Sequence, residues 1–177
     1  DLLEQRILSD GPAVRTVTKT AGLGKMGWYL DLGVSGASGP PVAEGERFVG
    51  NPIIANGIVF FPTYDPSTTV DCGTSGNNWL YGLNALTGGA ALNGTRVGSS
   101  TGDSYSDTTG AVKLDTKGTA PIKDVAVLAT PRQGILPLGS DPTDALKAQC
   151  SMVVQVAGAS PLYLPRPCGR QSWRQVL

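Results

Sequence analysis

An all-β fold is what this sequence predicts, and three observations predict it. Apolar residues recur at alternate positions in short runs, bounded by glycine, proline and asparagine turn signals. Almost no stretch carries the three-to-four spacing of an amphipathic helix. Charged residues make up only 16% of the chain, against 24 glycines and 13 prolines in 177 residues. That balance, rich also in Thr, Ser and Asn, suits a secreted or surface β protein rather than a cytosolic helical enzyme.

The central strand is WLYGLNAL, residues 79–86. An extended chain puts Trp79, Tyr81, Leu83 and Ala85 on one side and Leu80, Gly82, Asn84 and Leu86 on the other. Apolar residues on both faces mark a strand buried between layers. A helix would hold Gly82 in its interior, at a cost of about 1 kcal/mol against alanine. The run stops at Thr87-Gly88-Gly89, where glycine allows a tight turn.

From the N-terminus, Leu2, Leu3, Ile7 and Leu8 fit a short helix or a strand, and Gly11-Pro12 then leads to a strand around Val14 and Val17. Lys25–Gly33 reads as a strand with Trp28, Leu30 and Leu32 inward and Tyr29 and Asp31 outward. A Gly/Ser/Pro loop follows from Gly33 to Gly45. The next segment is a hairpin about Asn56-Gly57, the preferred pair for a two-residue type I′ turn. Phe48, Val49, Ile53 and Ile54 lie on its incoming side and Ile58 to Phe61 on its outgoing side, with Pro52 and Pro62 marking lapses in pairing. Leu92–Gly110 reads as a long polar surface loop. Further strands are expected at Ala111–Asp115, Lys123–Pro131 and Cys150–Gly158, with a turn of helix near Asp144–Gln149 and a proline-punctuated extended piece after Ser160. In the tail, Trp173 and Val176 are placed for a closing strand. Trp28, Trp79 and Trp173, with Tyr81 and Leu83, are read as core, since each falls on an alternating apolar face.

Fourteen basic and fourteen acidic residues give no net charge, which excludes a field that gathers nucleic acid or anionic lipid. Without histidine there is no Ser-His-Asp or Cys-His pairing. No GxSxG or SxxK motif supports other nucleophilic chemistry, so the chain is read as non-catalytic. The three cysteines lack C-x-x-C spacing and do not make a zinc site. Cys150 and Cys168 are the favoured disulfide, closing a loop worth roughly 3 kcal/mol. Cys72 is then free or bonded elsewhere, and Cys72–Cys168 is the next choice. No run of about 20 apolar residues spans a membrane. The start at Asp1, without methionine or signal peptide, points to a processed or excised product.

Four segments in order carry a resemblance. They are GWYLDL (27–32), GERFVGNPIIANGIVFFPTYDPS (45–67), the Cys72 loop into NNWLYGLNALTGG, and GRQSWRQVL (169–177). In these the chain resembles the C-terminal domain of the PilC/PilY family of type IV pilus tip adhesins and biogenesis factors. The resemblance implies a partial or modified β-propeller with quinoprotein-like blades and long loops. It implies a place on the cell surface at the pilus, attachment to host or abiotic surfaces, and support of pilus extension. Pilus minor subunits, or other parts of the same precursor, are the implied partners.

No cofactor is expected. The family's calcium site is a compact Asp-rich loop; Asp103 and Asp107 are the nearest candidates here, in a segment without the alternating acids and terminal glutamate of such a loop. At about 40–45 residues per blade, the chain supplies at most about four blades, and about two or three once loops are allowed for. The reading is one β domain over 1–177. Residues 1–24 form an N-terminal segment able to act as a donor or edge strand, and 25–92 the core blade. Residues 93–149 hold variable loops and strands, and 150–177 the closing strands. Loops Gly33–Gly45, Pro66–Asn78 and Asn93–Gly110 are the expected contact surfaces. A filament subunit that self-associates by donating its first strand is the alternative function.

Overall fold

The structure, a computed structural model, describes residues 1–22, 24–35, 39–42, 45–66, 76–98, 105–116, 120–129 and 151–165. Among the described residues the fold is all-β, without a helix. The strands are β1 (Leu3–Asp10), β2 (Val14–Val17), β3 (Trp28–Val34), β4 (Arg47–Phe48), β5 (Ile53–Ala55) and β6 (Ile58–Pro66). They continue with β7 (Gly76–Asn84), β8 (Arg96–Val97), β9 (Thr109–Lys113), β10 (Val125–Ala129), β11 (Ser151–Val156) and β12 (Leu162–Pro165).

Eight strands form one sheet in the order β3-β1-β2-β9-β7-β6-β4, with β5 also paired to β6; a four-stranded sheet runs β10-β11-β12-β8. All pairings are antiparallel except β1 with β3. The large sheet curls into a nearly closed barrel, and the chain leaving β3 folds back on that strand through a bridge between Val34 and Val42. The Asn56-Gly57 turn takes the positive φ values, 54° and 77°, that a type I′ hairpin requires, and it sets Ile53 opposite Phe60.

β7 is the wall between two cores. Trp79, Tyr81 and Leu83 face the inside of the curl with Ile7, Val17 and Ala111. Leu80 faces outward with Phe60, Leu92 and Val112, against Val154, Leu162 and Leu164 of the four-stranded sheet. The strand ends at Asn84 rather than Leu86, and Leu86 is left 86% exposed. Asn84 is the cause: its Oδ1 accepts from the amides of Leu86 (2.9 Å) and Thr87 (3.0 Å), an Asx turn that replaces the next ladder bonds.

Four expectations change. The N-terminal segment is a strand, and β1 is interior rather than at an edge, hydrogen-bonded to both β2 and β3 with Leu3, Gln5 and Ile7 buried. Donating it to a neighbour would unpair both. The incoming side of the hairpin is split into β4 and β5, and pairing on that side of β6 lapses between Phe60 and Thr63, where Pro62 has no N–H to give. Leu92–Gly110 is not all surface loop: β8 lies within it and pairs with β12, and Thr95 is fully buried. Gly76–Asn78 belongs to β7, with Asn78 buried; its amide donates to Ala120 O (3.1 Å), and its Oδ1 accepts from Ile122 N (3.1 Å). The helical turn expected near Asp144–Gln149 lies outside the described residues.

Candidate functional site: a buried arginine centre

Val14 and Val17 are three positions apart and cannot share one face of a strand. On β2 it is Arg15 that points inward beside Val17, and only 3% of its surface stays exposed. Its Nε donates to Asp10 Oδ1 (2.9 Å) and its Nη2 to Asp10 Oδ2 (3.3 Å). Nη1 donates to the Tyr81 hydroxyl (2.9 Å) and to Glu46 Oε2. Asp65 lies 4.0 Å from Nη2, and the guanidinium sits 4.0 Å from the centre of the Trp79 ring. Thr63 donates its hydroxyl to the other Glu46 oxygen.

The aromatic column continues outward. Tyr81 stacks on Phe61, with centroids 5.0 Å apart and planes 5° off parallel, and Phe61 meets the edge of Phe48 at 5.6 Å. Burial alone would lower the Arg15 pKa, but the bond to Asp10, Tyr81 and Glu46 outweigh it and the guanidinium is held charged. Burial raises the Tyr81 pKa, helped by Glu46 and opposed by Arg15, so the phenol stays neutral. Beside this centre a small pocket opens among Ile7, Arg15, Leu32, Val34, Val42 and Glu46.

A second polar knot clamps the turn after β7. Buried Gln5 donates to the carbonyls of Thr87 (2.7 Å) and Thr20 (3.1 Å) and accepts from the Thr18 hydroxyl. Trp28 is half-buried, and its Nε1 donates to Ala85 O at 3.1 Å. Trp79, Tyr81 and Leu83 are at most 3% exposed. Among the described residues, Trp79 Nε1 is buried without a hydrogen-bond partner. Asp107 is exposed, with Lys19 Nζ 3.6 Å away, and among the described residues it joins no metal-binding cluster. Asp103, Cys72, Cys150, Cys168 and Trp173 lie outside the described residues.

The centre draws Asp10 from β1, Arg15 from β2, Glu46 from just before β4, Asp65 from β6 and Tyr81 from β7. Its chemistry is that of a staple: one cation held by several acids and a ring, tying the far edge of the sheet to its middle. Sequence reasoning passed over Arg15 and Glu46. The odd spacing of the two valines was the available signal for Arg15; nothing local marks Glu46, 31 residues away.

A curated protein of Xylella fastidiosa (strain Temecula1), named a type IV pilus biogenesis factor PilY1 homolog, is 41% identical to the chain over 183 residues. The alignment covers 93% of this chain and 12% of that protein. A second protein of the same name and organism is 34% identical over 80 residues, covering 45% of the chain and 6% of its own length. No family model matches the chain, and no solved structure matches it. The chain therefore spans about one eighth of the length of the first relative. With the likeness sustained over nearly the whole sequence, the chain belongs to the PilY1 family.

Proposed function

We propose that the chain is a non-catalytic scaffold segment of a type IV pilus biogenesis factor, carried at the cell surface and working through its outer surfaces. The observation that carries this is the 41% identity across 93% of the chain to a protein bearing that name. The geometry supports it: the buried cation, Arg15, is engaged by Asp10, Glu46 and Tyr81 of its own fold rather than presented to a substrate. In this reading the segment supports pilus extension and surface attachment, with pilus minor subunits or the rest of the same polypeptide as partners, and needs no cofactor. The four-stranded antiparallel sheet has the strand number of one propeller blade, and we read it as part of a modified propeller completed by the remaining protein. No helix among the described residues is long and apolar enough to cross a membrane.

The test is an in-frame deletion of these residues from the full-length gene, followed by counts of surface pili, twitching and attachment. Loss of all three is the expected outcome. Unchanged piliation and attachment would overturn the proposal, and normal pili with lost attachment would narrow it to adhesion.

A further inference from the structure

The inward-facing apolar residues of the curled sheet are unequally covered. Ile7, Val17, Tyr81 and Ala111, on its middle strands, are fully buried. Leu30 and Leu32 on β3 and Val59 and Phe61 on β6 are only half-buried. Next to them Phe48 is 45% and Ile54 68% exposed. Ile54 stands opposite Val59 and Phe48 opposite Thr63, so both continue the same inward row. Leu30 and Leu32 thus stand at one end of the curled sheet and Val59, Phe61, Phe48 and Ile54 at the other, and the space between these ends is the seam of the nearly closed barrel.

At one end of β3 the connection toward β4 returns on the strand, the Val42 amide donating to Val34 O (3.1 Å). Along the rest, among the described residues, β3 has a ladder partner on its β1 side alone. Leu3 N donates to Gly27 O, so strand alternation gives Tyr29 and Asp31 to β1 and turns the backbone groups of Trp28 and Leu30 toward the seam. Free backbone donors and acceptors beside a half-covered apolar row are what an added strand satisfies.

We propose that this seam is a strand-acceptor slot, filled by an extended segment of the same polypeptide lying outside these 177 residues. The segment bonds the backbone of Trp28 and Leu30 and sets alternate apolar side chains between Leu30 and Leu32 on one side and Phe61 and Ile54 on the other. The first relative is about eight times longer than this chain, so such a protein carries ample sequence to supply it. A tethered strand also competes at millimolar effective concentration, well ahead of a free partner. A helix would leave the β3 backbone groups unsatisfied. The inference rests on the fold and on that length, and stands apart from any role in adhesion.

The experiment uses the full-length protein. A photoreactive benzoylphenylalanine replaces Ile54 in one variant and Tyr29 in another, both exposed positions. After irradiation the cross-linked peptides are identified by mass spectrometry, and amide exchange is followed at Trp28 and Leu30 in the unmodified protein. Two results are expected together: a cross-link to a peptide of the same polypeptide outside this chain, and exchange slowed at least about a hundredfold relative to an open amide. Unprotected exchange, no cross-link from either position, or a cross-link to residues 1–177, a second copy or another protein overturns the proposal.

Discussion

At the scale of single residues, Arg15 has the largest predicted consequence. Replacing it with methionine keeps the packing over Trp79 but leaves Glu46, 4% exposed at its side chain, buried without its cation. Breaking a buried pair from one side costs about 3–5 kcal/mol. Arg15→Met should therefore lower the urea midpoint sharply, and Arg15→Met with Glu46→Gln should cost less than the sum of the two single changes. Tyr81 gives a pH signature. Its folded pKa is raised above the ordinary value near 10, so the folded state holds the proton more tightly than the unfolded chain. The stability this contributes is fully present below about pH 10 and is lost as pH rises through the folded pKa. Urea midpoints measured from about pH 8 to about pH 11 should fall at the alkaline end, and Tyr81→Phe should flatten the fall. The apolar members of this region could be read from alternation. Arg15 was hidden because two valines invited a pattern that a strand cannot keep, and Glu46 because partners from distant segments leave no local trace.

At the scale of elements, β7 depends on a missing side chain. A Cβ at Gly82 would come within 2.3 Å of Leu92 Cδ2 and 3.2 Å of Phe60 Cε1. Gly82→Ala should therefore destabilise the protein by about 1–3 kcal/mol, the cost of overpacking, although alanine is the better residue in a generic strand. Calorimetry of the variant checks this. The hairpin at Asn56-Gly57 was legible because its turn chemistry is local. The two-residue β8 was not, since so short a piece has no period to detect. The parallel pairing of β1 with β3 was equally hidden: the chain between them carries no helical crossover signal, and register follows from contacts made only after folding.

At the scale of the whole molecule, composition and alternation were enough for the all-β class and for a strand between two layers. Closure was not, because the curl of the large sheet depends on strand order and on the Arg15 staple. β7 shows what that architecture does to unfolding. Leu80 and Tyr81 are neighbours in the chain yet serve opposite cores. Melting either layer strips packing from the other through the same backbone, so neither can survive as a partly folded remnant. Trp79 fluorescence, from the inner core, and exchange of the Val154 amide, from the outer sheet, should give one shared denaturation midpoint, and two separate midpoints would refute the coupling. A protein partitioned by a single load-sharing strand fails all at once, which leaves proteases no half-open form to attack.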